Sequence, residues 1–137
     1  MITRTAIKRD VVITACAISA GIHAALTPDH LTEGAGAGAG FAVATLLLAA
    51  LAAELTRAVS TAALAGAIAL FAGLLVSYGF AVTTGLPLLH PHAEAVDGLP
   101  LFTKAVEVLG LLAAASLLSH RRPALFLNSP RPKGTLA

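Results

Sequence analysis

Histidines and carboxylates gather in two short stretches of this chain. His23, Asp29, His30 and Glu33 occupy the first, and His90, His92, Glu94 and Asp97 occupy the second. Imidazole nitrogens and carboxylate oxygens together suit zinc, copper(II), iron or manganese. His30 and Glu33 are three residues apart, so on a helix they share one face. His90-Pro91-His92 offers two imidazoles on a stiffened segment, with Glu94 close behind. A metal held there could activate a bound water, and an unused carboxylate could act as its base. Two plainer readings stand beside this one. The same side chains could be solvated loop residues, with Asp29 and Glu33 serving a helix start, or they could bind a proton or a ligand without any metal.

Glu107 carries a different weight because it lies inside an apolar run. An ionisable group at that depth in a membrane costs about 2.5–3.5 kcal/mol on insertion scales, so it needs a partner or a water path. Lys104, one turn away, is the simplest partner. Otherwise Glu107 is a ligand or supporting group beneath the histidines, or a proton-binding carboxylate. Ser77 and Tyr78 stand where they could reach Glu107 or His23, although helix packing is their simpler role. Glu54 lies toward the other end beside Arg57.

The elements that must position these groups follow from composition. The chain has 137 residues, of which 57% are hydrophobic and 12% charged. A soluble domain has roughly a quarter charged residues, so a water-soluble globule or a disordered chain is a poor match. The expected fold is an all-α transmembrane four-helix bundle, because four spans of about 20 residues each fit the length. The spans are expected near 11–26, 36–55, 63–83 and 101–118, in a single domain over 1–120, with 121–137 a mobile tail. The single cysteine, Cys16, excludes an intrachain disulfide and a cysteine-rich metal site. A net charge of +2 leaves no electrostatic footprint for nucleic acid.

Local signals refine the boundaries. Arg4, Lys8 and Arg9 followed by a short apolar run also fit a secretory signal, but we read the run as the first membrane helix. Thr27-Pro28-Asp29 has the form of a new helix start: a capping hydroxyl, a proline at the first position and an acid near the positive dipole end. Helix one is therefore expected to stop near Leu26. GAGAGAG at 34–40 has small-xxx-small spacing and is expected to pack closely against a neighbour. No Gly-Lys-Ser/Thr follows it, so a phosphate loop is a weak alternative.

Charge sets the expected orientation. Arg4, Lys8, Arg9, Arg57, Arg121, Arg122, Arg131 and Lys133 all fall on one side of a four-span bundle, leaving only Lys104 elsewhere. Basic residues favour the cytoplasmic side, so both termini are expected there and the histidine-rich loops outside.

Two of these segments carry a resemblance. Gly21-Ile22-His23-Ala24-Ala25-Leu26-Thr27-Pro28-Asp29-His30-Leu31-Thr32-Glu33 resembles a segment of small four-span membrane proteins of high-GC bacteria. There a histidine near the end of the first helix precedes a proline, an acid and a glutamate. Thr84-Gly85-Leu86-Pro87, then His90, an acid and a fourth helix with Glu107, is similar to a second segment of the same proteins. The similarity covers most of residues 15–115. It implies the four-span architecture and this residue set, and no particular activity; the expected location is a bacterial cytoplasmic membrane. The GAGAGAG run departs from it, since bulkier residues stand there in the family.

Three functions follow as expectations. The first is an outward-facing metal site built from His23, His30, Glu33, His90 and His92, with Glu94 and Glu107 as further candidates. The second is an interaction subunit that docks to a membrane complex or to itself through the Gly/Ala-rich second helix. The third is a small proton-linked transporter using Glu107.

Overall fold

The computed structural model describes residues 3–85 and 98–121. Four helices account for nearly all of them: α1 (Arg4–Glu33), α2 (Ala35–Arg57), α3 (Thr61–Thr83) and α4 (Gly98–Ser119). No strand occurs among the described residues. The chain is an all-α four-helix bundle, and each helix is long and apolar enough to cross a membrane. At 1.5 Å per residue, α2, α3 and α4 reach about 33–35 Å, close to the thickness of a bilayer's hydrocarbon core. Large apolar side chains such as Leu46, Leu47, Val76, Phe80, Leu109 and Leu112 point outward and remain exposed. Of the tail expected at 121–137, residues 122–137 lie outside the described residues, as do 86–97 of the loop that the sequence leads one to expect at 85–100.

The helices run up and down around a ring. α1 packs between α2 and α4, and α3 completes the ring against α4, with only slight contact to α2. Caps explain the starts. The Thr3 hydroxyl accepts from the Ala6 amide at 3.2 Å, and the Ser60 hydroxyl accepts from the Ala63 amide at 3.0 Å. α3 ends at Thr83, and Gly85 then takes a φ of 73°, a left-handed turn that favours glycine.

Helix one differs from expectation. It does not stop at Leu26 but continues through Pro28 to Glu33, making 30 residues. The Thr27 hydroxyl does not cap a new helix; it donates back to the His23 carbonyl at 2.7 Å. A threonine can bond the preceding turn in this way, which leaves it compatible with a helix interior. Pro28 forfeits one amide bond, a loss that the continuous α1–α2 packing outweighs. The break falls instead at Gly34, an extended residue, after which α2 runs back along α1. α4 begins at Gly98 rather than Leu101, since Pro100 sits in a first turn where amides have no partner to lose.

The GAGAGAG run is helical from Ala35 onward, and its closest approach is within the chain. A side chain at Gly38 would come within 2.8 Å of the Leu31 Cα, so only glycine lets α2 leave the break this close to α1.

Candidate functional site

One end of the bundle gathers Arg4, Lys8, Arg9, Arg57 and Arg121; we call it the basic end. The other, where α1 gives way to α2, holds the buried polar groups and a cavity. Four elements converge on that cavity: the last turns of α1, the first of α2, the last of α3 and the first of α4.

The polar core starts at Glu107, near the middle of α4 and fully buried. Both of its oxygens are used. Ser19 Oγ on α1 donates to Oε1 at 2.7 Å, and Lys104 Nζ donates to Oε2 at 2.6 Å. An ionised carboxylate with two donors and an opposite charge is the arrangement that a buried site requires. His23 continues the chain of bonds. Its Nδ1 lies 2.8 Å from the Ser19 carbonyl, which can only accept, so Nδ1 carries the proton. In the neutral ring Nε2 is then left as the acceptor. Ser19 Oγ is 3.4 Å from the same nitrogen.

Above this core lies a cavity of about 220 Å³. Its apolar wall includes Ile22, Leu26, Phe41, Ala44 and Leu74, and its polar wall includes His23, His30, Tyr78, Thr103 and Lys104. Phe41 is in ring contact with both histidines. His30 stacks on it with ring centroids 3.9 Å apart, and His23 tilts toward it at 5.2 Å. Lys104 Nζ stands 5.5 Å from the centroid of the Tyr78 ring, in cation–π range. The Tyr78 hydroxyl is buried and has no hydrogen-bond partner among the described residues. Gly40 and Ser77 also line the cavity and are exposed. They belong to α2 and α3, which of the neighbouring helix pairs are the most loosely packed, so the cavity opens sideways there.

The residues expected to form a metal site separate into three groups. His23 and Glu107 are buried in one hydrogen-bonded chain through Ser19. His30 Nδ1 pairs with Glu33 Oε2 at 2.7 Å, nearer the end of α1. His90, His92 and Glu94 lie outside the described residues. Among the described residues, no group of three histidine, cysteine or acidic side chains is placed to hold a metal ion. Lys104 is indeed the partner of Glu107.

The sequence does not single out Ser19, Phe41 or Thr103. Ser19 did carry a signal, since it lies four residues before His23 and so shares its helix face. The sequence puts Tyr78 within reach of Glu107 or His23, with helix packing its simpler role; in the fold its ring lies against Lys104. A search of family models, of curated proteins and of solved structures finds no match to this chain.

Proposed function

We propose that this chain is an integral membrane protein that binds a small lipid-soluble molecule in the cavity between its helices. The observation that carries this reading is a roomy, mainly apolar cavity edged by a few convergent polar groups, the usual form of a ligand site. The sideways opening between α2 and α3 supports access from the surrounding lipid. The basic end would face the cytoplasm and the cavity the outer half of the bilayer, in keeping with the preference of lysine and arginine for the inner side. Four spans, the resemblance noted above and the charge pattern together support the bacterial cytoplasmic membrane as its location.

Gly40 provides the test. A Cβ added there meets nothing within 4 Å, and Gly40 lines the cavity, so Gly40→Leu sets a bulky side chain at its exposed rim. In a helix this change also gains up to about 1 kcal/mol of propensity. The full chain in detergent should bind a ring-sized apolar probe such as durene or duroquinone, measured by equilibrium dialysis. Gly40→Leu should fold at least as well and lose that binding. Equal uptake by both proteins would mean that the probe sits in the micelle, and the reading would fail.

A second reading keeps a metal, favoured by the fact that His23 and His30 line one cavity. Zinc, copper(II), iron or manganese would then be held with help from His90 or His92. Elemental mass spectrometry of the same preparation decides it. Near-stoichiometric metal that disappears in a His30→Ala/His92→Ala variant would establish the metal site, and metal-free protein that takes up none of the four ions would remove it.

A further inference from the structure

The cavity wall has already spent much of its hydrogen-bonding capacity, and what remains is mostly of one kind. Thr103 donates its hydroxyl proton to the Leu99 carbonyl at 2.8 Å. His23 uses its Nδ1 proton on the Ser19 carbonyl. Lys104 uses one N–H on Glu107, and an ammonium has three, so two remain. Tyr78 brings a buried hydroxyl with no partner among the described residues. No carboxylate lines the cavity among those residues, because Glu107 lies behind Lys104 with both oxygens occupied. A ligand therefore meets the unspent donors of Lys104 and Tyr78, beside the His23 Nε2 acceptor and the Ser77 hydroxyl, on a largely apolar surface.

Charge and size narrow the ligand further. The positive charge of Lys104 is already matched by Glu107, so an anionic ligand would compete with Glu107 for the same ammonium. A neutral carbonyl oxygen would leave the pair intact and still accept from the free N–H groups. A cavity of about 150 Å³ holds one benzene, so about 220 Å³ has room for one ring with small substituents. We infer that the cavity takes an apolar ring compound bearing a neutral carbonyl, whose oxygens accept non-covalently from Tyr78 Oη and Lys104 Nζ. This rests on the ligand-site reading above and names the chemistry of its ligand.

Duroquinone and durene separate the two ideas, since they share a ring and four methyl groups and differ in the carbonyls. Binding to the full chain in detergent is measured by equilibrium dialysis, with Gly40→Leu as the blank for partition into the micelle. Tyr78 is the only tyrosine and the chain has no tryptophan, so quenching of its fluorescence gives a second readout at the site. Duroquinone should bind about tenfold more tightly than durene or better, because durene leaves the donors unpaired. Tyr78→Phe removes one oxygen and should erase most of that preference. Equal affinity for the two probes, blocked by Gly40→Leu, would keep the ligand site and overturn the carbonyl inference. A preference for duroquinone that survives in Tyr78→Phe would overturn the role given to Tyr78. Tighter binding of 2,4,5-trimethylbenzoate than of duroquinone would overturn the neutral carbonyl in favour of an anion. No binding of any probe above the Gly40→Leu blank would overturn the ligand-site reading itself.

Discussion

The two halves of the bundle are built from the same four helices and packed in opposite ways. Toward the basic end the core holds the large buried apolar side chains, Val12 of α1, Leu48 and Leu55 of α2, Leu64 and Phe71 of α3, and Leu117 of α4, set among Ala15, Cys16, Ala63, Ala67 and Ala114. There a Cβ on Gly110 would stand 2.7 Å from both Ala15 Cβ and the Phe71 ring, so three helices meet with no space between them. Toward the other end the buried residues are small or polar: Ser19, Ala20, His23, Ala37, Ala44, Ala81, Thr103 and Glu107. Small residues on facing helices leave volume, and the polar ones border it. One half is a close-packed interior of the ordinary kind; the other gives up that packing and retains a cavity and a buried ion pair. The difference puts close packing at the basic end and, on the proposed reading, binding at the other.

The sharpest way to break this comparison is to remove packing from the half assigned to rigidity. Phe71→Ala deletes a fully buried ring and should cost about 3–5 kcal/mol of stability, read by unfolding in mixed micelles. Probe affinity of the protein that remains folded should hold, because Phe71 does not line the cavity. An affinity that fell along with the stability would show that the halves are not separate.

The next largest effect lies in the polar half. Removing one partner of a buried pair typically costs about 3–5 kcal/mol. Lys104→Met should fall at the low end, since Ser19 still donates to Glu107. Combining it with Glu107→Leu removes the stranded charge and should recover most of the loss, because apolar replacement of a whole buried pair is often neutral. Stability measured for the two single changes and the double change gives the coupling directly. Full additivity would mean that Lys104 and Glu107 do not depend on each other, contrary to their 2.6 Å contact.

The two halves were not equally legible in the sequence. Composition and four apolar runs were enough for the bundle, because a span needs only length and low charge. The Lys104–Glu107 pair was readable because three residues along a helix bring side chains together regardless of tertiary detail. The continuation of α1 was not readable. A threonine before a proline fits either a helix start or a helix interior, and the choice depends on what α2 and α4 pack against α1. Ser19 was legible only in part. Its spacing puts it on the helix face of His23, but its bond to Glu107, 88 positions along the chain, depends on the fold. The metal set was argued from residue types in two loops, and type does not bring rings together. His30 stacks on Phe41, an apolar residue with nothing in its sequence context to mark it.

The smallest expected effect tests the polar half most selectively. A buried hydroxyl without a partner usually costs folding free energy, because water is stripped from it and nothing replaces the lost bonds. Tyr78→Phe removes only that oxygen. It keeps the ring beneath Lys104, and phenylalanine also attracts a cation through its face. The unliganded protein should therefore become more stable by up to about 1 kcal/mol, at the lower edge of the usual penalty for an unpaired buried group. A binding residue that opposes stability is what a ligand site leads one to expect, since its partner arrives with the ligand. Thermal unfolding of the ligand-free protein, with and without the substitution, measures this. A loss of stability would mean that the hydroxyl is already bonded within the folded chain, and the cavity would then hold one donor fewer for any ligand.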